Sequence, residues 1–223
     1  MIEFGLMCPS RGRPSGAKDL VESWMISTTG RSQFLWYLDE DDLTRVEYPL
    51  HGKRFIGPRI GLGASLNRLV KEFPDYPYYM MCPDDFRFRT QGWEDRVLQV
   101  FESNAGIAIV YCNDLFQKKN LATEVFVPKK VIDALGYFVP PTIEHMYLDN
   151  FFMQLGLGLG RLFYLDDVII EHMHPAAGKN VWDLGYSRVN APEQYKKDEQ
   201  RYREWLVTKD KVVGDLKVAL GLS

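Results

Sequence analysis

Apolar residues along the chain fall into two kinds of pattern. Short, nearly unbroken runs at Ile2 to Met7, Gln33 to Leu38, Tyr78 to Met81 and Ile107 to Tyr111 are bounded by charged or turn-forming residues. Runs of that length predict strands buried on both faces. Elsewhere apolar residues return every three or four positions. Leu20, Val21, Trp24 and Met25 do so within Ser15 to Thr28. Leu66, Leu69, Val70 and Phe73 follow Gly61, and Trp93, Val97, Val100 and Phe101 lie within Gly92 to Ser103. That spacing predicts helices, and the whole reads as an α/β chain.

The second half is less regular. Thr123 to Val127 predicts a short strand, Pro128 suits a first helical position and Gly136 its end. Tyr137 to Pro141 is a rigid apolar loop, and a helix is expected to start in Glu144 to Phe152. Gly156-Leu157-Gly158-Leu159-Gly160 follows a helix rather than a strand, so it reads as a helix stop and turn, not a nucleotide loop. Leu162 to Leu165 and Val168 to Glu171 predict two short strands around Asp166-Asp167. Lys53, Arg54 and Arg59 lie in an irregular stretch before Gly61. From Pro192 the chain is a charged helix with Tyr195, Tyr202, Trp205 and Leu206 turned to the body. The chain therefore divides into residues 1–190 and a helical brace at 191–223.

Composition narrows the picture. With 223 residues, 46% of them hydrophobic and 13% aromatic, the chain can bury one substantial core. A net charge of −3 argues against a general basic coat for nucleic acid. Cys8, Cys82 and Cys112 form no paired motif and sit at the ends of apolar runs, which suits buried, reduced thiols. Without a signal peptide or a run of membrane-spanning length, a soluble protein of the cytoplasm is expected.

The chemistry gathers where predicted strands end. The run from Tyr78 stops at Pro83-Asp84-Asp85, and proline cannot continue a ladder. Two adjacent carboxylates at the rim of a core repel and lose hydration unless a cation or water reaches them. They are either a divalent-metal and phosphate site or a solvated loop. The first strand runs into Pro9-Ser10-Arg11-Gly12-Arg13-Pro14, a stiff cationic turn ahead of a helix N-terminus, suited to an anion. The second ends in Asp39-Glu40-Asp41-Asp42, and Asp39 is the candidate for contact with a nucleoside. Small residues from Gly61 to Ala64, Gly63 among them, would let a ligand approach the backbone, with Asn67 and Arg68 offering polar groups. Asp149, a carboxylate among large aromatics, fits a general base with a raised pKa. His172 and His174 point to one face of an extended chain and suit Mn²⁺ or a related ion.

In this order the features resemble the GT-A glycosyltransferases, especially the small family 2-like enzymes found in bacteriophages. The resemblance covers residues 1 to 180. It implies a single Rossmann-like domain with a mostly parallel central sheet flanked by helices, extended by a C-terminal helix. Pro9, Ser10, Arg11, Arg13, Asp39, Gly63, Asn67 and Asp84 would then bind a nucleotide-sugar donor, most often a UDP-sugar. Pro83-Asp84-Asp85 resembles an Asp-x-Asp motif with proline for the first acid, leaving Asp85 as the metal ligand with His172 or His174 for Mn²⁺ or Mg²⁺. Asp149 would be the catalytic base of an inverting transfer. The acceptor implied is a hydroxymethylpyrimidine in phage DNA, with Arg54, Arg59, Lys118, Lys119, Lys129 and Lys130 as a basic rim, or a protein or glycan hydroxyl. A sugar nucleotidyltransferase, a metal-dependent phosphoester hydrolase and a non-catalytic virion component are the alternatives.

Overall fold

The first strand, β1 (Phe4–Ser10), starts and ends later than the hydrophobic run alone predicts. Its alternate side chains enter two different apolar layers: Phe4, Leu6 and Cys8 on one side, Met7 on the other. Burial on both faces explains why no polar alternation is visible in the run. Met7 accepts from the Cys82 N–H on one flank, and Pro9 faces the same flank two residues on. The neighbouring strand no longer pairs there, so the missing proline N–H breaks no ladder bond.

The computed structural model describes residues 1–222. After β1 come α1 (Pro14–Ser27), β2 (Ser32–Asp39), β3 (Lys53–Gly57), α2 (Leu62–Glu72), β4 (Tyr78–Met81), β5 (Phe86–Phe88) and α3 (Trp93–Ser103). Next are β6 (Ile109–Asn113), β7 (Phe126–Pro128), α4 (Lys129–Leu135), α5 (Leu148–Leu159), β8 (Leu162–His172), α6 (Leu184–Val189) and α7 (Pro192–Leu220). The eight strands form one sheet in the order β3-β2-β1-β4-β7-β6-β8-β5. The β1–β2, β1–β4, β2–β3 and β6–β8 pairings are parallel, and β4–β7, β6–β7 and β5–β8 antiparallel. The α/β class stands, but the sheet is mixed rather than mostly parallel, with β3, β2, β1 and β4 forming its continuous parallel part.

Apolar layers cover both sides of this sheet. Ala17, Leu20 and Val21 of α1 and Trp93, Val97 and Phe101 of α3 cover one face. Leu66 and Leu69 of α2, Val131 and Ile132 of α4, and Phe151, Phe152 and Leu155 of α5 cover the other, joined by Trp205, Val213 and Leu216 of α7. The three cysteines are buried free thiols. Among the described residues no helix is long and apolar enough to cross a membrane.

Several local expectations are corrected. β3 forms inside the stretch read as irregular, where Lys53 to Gly57 pair along β2 as an edge strand. β5 was not predicted; its three residues depend on antiparallel pairing with the end of β8. The two strands expected around Asp166-Asp167 are one. The partner of Cys112 is Leu165 but that of Asn113 is Ile169, a bulge that absorbs both acids without ending the strand. Pro128 closes β7 and precedes the helix instead of starting it. Helix α5 runs on through Gly156 and Gly158, which serve close packing, since a Cβ there would stand 2.7 Å from Leu162 and 2.8 Å from Val213; the stop is at Gly160, with φ 64°. Glu144 to Tyr147, expected at the helix start, stay outside it, with Tyr147 as a left-handed N-cap.

Candidate active site

Four parallel-paired strands, β1, β2, β6 and β8, and the end of β4 bring their carboxyl termini to one edge of the sheet, where loops project polar groups. The cationic turn after β1 and the acids after β2, separate features in sequence, neutralise each other. Arg11 reaches Asp39 at 3.1 Å and is bidentate on Asp41. The Gly12 N–H donates to Asp42 at 2.8 Å, in a turn where Gly12 has φ 68°. Burial raises the Asp39 pKa, against the hydrogen bond and charge of Arg11. Arg13 is bidentate on Asp183 (2.9 and 2.8 Å), stands 3.5 Å from Asp84 and covers the Tyr186 ring at 4.1 Å.

Asp84 and Asp85 are both buried and face opposite neighbours. Asp84 accepts from the Ser10 hydroxyl, which also meets the Tyr48 hydroxyl at 2.9 Å. Burial and the charge of Asp85 push its pKa up, opposed by Arg13 and Ser10. Asp85 Oδ2 accepts from the Tyr186 hydroxyl and lies 3.3 Å from His172 Nε2. Burial acts to raise the Asp85 pKa as well, but His172, Tyr186 and Arg13 together hold it below the ordinary carboxylate range. Conversely, burial opposes a charged His172, yet the hydrogen bond and charge of Asp85, then Asp149 and Asp114, raise its pKa. The repulsion expected between the paired acids is thus relieved by the chain's own donors, and the two carboxyls are driven apart, Asp84 upward and Asp85 downward in pKa.

One oxygen escapes this arrangement. Asp85 Oδ1 is buried with no partner, and so is His172 Nδ1; such orphans cost about 1–3 kcal/mol each. The ring of His174 lies 5.1 Å from that of His172, while its Nδ1 accepts from the Ala176 N–H at 3.0 Å. No three His, Cys, Asp or Glu side chains among the described residues are grouped to hold an ion. A cation shared with substrate phosphates needs only one or two protein carboxylates. The idle Oδ1 of Asp85 fits that kind of site.

Asp149 stands at the second position of α5, partly exposed, and no side-chain hydrogen bond holds it among the described residues. Loss of hydration pushes its pKa up to about 7, with Asp114 and Asp85 adding to the rise and His172 opposing it. Asp114, at the end of β6, is fully buried; it accepts from Phe116 N–H (2.8 Å), Lys118 N–H (2.6 Å) and Thr123 (3.2 Å). Its own carbonyl receives the His172 N–H at 3.0 Å and so sets the end of β8.

Gly63 and Asn67 are engaged with the chain itself. The Gly63 N–H donates to the Glu144 carbonyl at 2.8 Å, and a Cβ at Gly63 would stand 2.4 Å from the Ile143 oxygen. Asn67 donates to the Val139 carbonyl (2.9 Å) and accepts from Phe138 and Val139 N–H groups (2.8 and 3.1 Å). Both residues therefore hold the loop 138–144, which leads to Asp149.

Tyr48, Asp114, His145, Asp183, Tyr186 and Asp198 were missed by sequence reasoning. Asp183 carries a local signal, since it caps α6 by accepting from Tyr186 N–H at 2.8 Å. Asp114 carries one too, accepting from the Phe116 N–H two residues on, whereas Tyr48, Tyr186 and Asp198 act across long sequence separations that no local pattern announces. Burial lowers the His145 pKa to about 4 against Asp198 and Asp85, with Arg13 adding to the fall, so a neutral imidazole borders the acids.

No family model and no curated protein matches the chain. Solved structures do. Residues 1–349 of S. aureus TarS in complex with UDP align with a TM-score of 0.56 at 10% identity, covering 76% of this chain and 59% of that one. This chain thus spans about 59% of that TarS fragment. The mannosyltransferase PcManGT from Pyrobaculum calidifontis, in complex with GDP-Man and Mn²⁺, aligns at 0.58 and 11% identity over 98% of this chain and 74% of its own. The catalytic domain of Drosophila β1,4-galactosyltransferase 7, complexed with xylobiose, aligns at 0.56 and 12% over 84% and 79%. At such identities the likeness is one of fold: the chain has the α/β fold of the GT-A glycosyltransferases.

Proposed function

We propose that the protein is a glycosyltransferase that moves a sugar from a nucleoside-diphosphate donor, a UDP-sugar in the first instance, to an acceptor hydroxyl. The observation that carries this reading is the cluster at one sheet edge. Ser10, Arg11, Arg13, Asp39, Asp84, Asp85 and His172 meet there, with the Asp85 Oδ1 unpartnered. Asp39 and Arg11 suit the nucleoside end of the donor, and Ser10, Arg13 and Asp84 its diphosphate. A divalent cation, Mn²⁺ or Mg²⁺, would be held by Asp85 with His172 or His174 and would neutralise the diphosphate charge.

Asp149 is the base in this reading. Its raised pKa lets a carboxylate near neutrality accept the proton of an acceptor hydroxyl as that oxygen bonds to the anomeric carbon. The sugar–phosphate bond breaks on the opposite face, so the anomeric centre inverts. Arg13 bears on the charge that develops on the leaving diphosphate, once Asp183 yields it.

For the acceptor, a glycan or protein hydroxyl is favoured over a hydroxymethylated pyrimidine in phage DNA. Of the six cations expected as a basic rim, four are engaged. Arg54 bonds the Tyr48 and Pro49 carbonyls, Arg59 lies 3.9 Å from Asp39, Lys129 pairs with Asp133, and Lys130 donates to the Ala105 carbonyl. Incubation with a panel of nucleotide sugars and Mn²⁺, assaying free nucleoside diphosphate, tests the reading. Pyrophosphate release instead would mark a nucleotidyltransferase, and phosphoester cleavage a hydrolase. No release from any donor would remove the proposal.

A further inference from the structure

Residues Glu144 to Tyr147 carry the strained approach to Asp149, and helix α7 holds each of them. The carboxylate of Asp198, fully buried, accepts from three successive backbone N–H groups: Glu144 at 3.0 Å, His145 at 2.9 Å and Met146 at 2.9 Å. Gln194, one turn earlier in α7, donates to the same carboxylate at 2.9 Å. The Glu144 side chain pairs with Lys197 and Arg201, also of α7. Tyr147 has φ 68°, a conformation unfavourable for a residue with a Cβ. Its ring stacks on Tyr202 (5.2 Å, 19°) and meets Tyr195 edge-on (5.3 Å), which opposes that strain.

Docking of α7 alone does not require this carboxylate. Asp198 lies seven residues before Trp205, so it occupies the same inward stripe, where an apolar residue would bury well. A fully buried acid there is costly unless its lone pairs are met, and here a single turn of backbone meets them. The helix begins only at Leu148, because Tyr147, at φ 68°, is its left-handed N-cap and the turn bound by Asp198 lies before it. Residue 147 then turns the chain so that Asp149 emerges at the second position of the helix, where it feels the charges of His172, Asp114 and Asp85.

The geometry points to Asp198 as a positioning residue for the proposed base Asp149, making α7 part of the active site. This role rests on the glycosyltransferase reading given above. Asp198 touches neither donor nor acceptor; it fixes the turn from which Asp149 is presented. A displacement of about 1 Å at a reacting group can cost on the order of 10²-fold in rate.

Asp198→Asn, Asp198→Ala and the milder Gln194→Ala test this in the full chain, by amide hydrogen exchange and by steady-state kinetics with whichever donor the wild type uses. Exchange at Glu144, His145 and Met146 is expected to accelerate at least about tenfold while β1 and β4 stay protected. With it, kcat should fall about 10–100-fold in Asp198→Ala, less in Asp198→Asn, which keeps one acceptor oxygen, and least in Gln194→Ala. Donor KM should stay within about twofold, since the donor-side cluster is untouched. Loss of thermal stability with a wild-type kcat in the folded variants would overturn the role and leave Asp198 merely structural. Unchanged exchange at the three amides would overturn it too. Absence of transfer by the wild type would overturn the functional reading beneath it, an outcome the wild-type assay separates from the other two.

Discussion

Tyr186 donates its hydroxyl proton to Oδ2 of Asp85, 101 residues away in sequence. The bond ties the segment after β8 to the end of β4 and leaves Oδ1 as the idle oxygen of the pair. Donation from Tyr186 and His172 draws charge from the carboxylate that is proposed to meet a cation. Tyr186→Phe keeps the ring beneath Arg13 but removes one donor, a change of about 1 kcal/mol. Mn²⁺ should then bind roughly three- to tenfold more tightly in the presence of UDP, as followed by electron paramagnetic resonance of the free ion. Equal affinity in both proteins would show that the hydroxyl does not restrain Asp85.

Replacing either proposed acid should separate binding from chemistry. Asp149→Asn is expected to lower kcat by about 10²–10⁴ with donor affinity retained. Asp85→Asn should instead abolish the Mn²⁺-dependent part of donor binding in calorimetry. If Asp149→Asn turns over like the wild type, Asp149 has no part in the mechanism.

The raised pKa of Asp149 has two pH consequences of opposite sign. As a base it works deprotonated, so kcat should climb with pH and level off above about 7. For stability, the folded pKa lies above the ordinary 3.8, so the folded state holds its proton more tightly than the unfolded chain does. The stabilising contribution of the protonated group is complete below pH 4 and is lost as pH rises to about 7. Asp149→Asn should therefore exceed the wild type in stability at pH 8 by roughly 1–3 kcal/mol, and by less at pH 5. Urea unfolding at the two pH values measures both, and a constant difference would contradict the assignment.

Gly63 and Asn67 offer a test of packing against ligand contact. Gly63→Ala forces a Cβ toward the Ile143 carbonyl, and Asn67→Ala deletes three hydrogen bonds to Phe138 and Val139. Each should cost about 1–3 kcal/mol in denaturant unfolding. A normal unfolding midpoint combined with a raised donor KM would return these residues to direct donor contact.

Much of the fold was legible in the chain because its signals are local. Phe4 to Met7, Phe34 to Leu38 and Tyr79 to Met81 announce strands buried on both faces. Leu66 and Leu69, or Trp93, Val97 and Phe101, announce helices by their spacing. What escaped was pairing that needs a distant partner. Edge strand β3 exists because β2 is beside it, and β5 because β8 returns to it.

The succession of chemical residues along the chain, from Ser10-Arg11-Gly12-Arg13 through Asp39 and Asp84-Asp85 to Asp149 and His172, could be read from local pattern, as could their places at strand and helix ends. Their relations to one another were decided only by the tertiary structure. It joined Arg11 to Asp39 and Asp41, set Tyr186 on Asp85, and put Asp198 under the turn that presents Asp149. The reason is physical: hydropathy period and turn chemistry act over a few residues. Charge neutralisation and buried hydrogen bonds are settled by whichever groups the folded chain brings within about 3 Å.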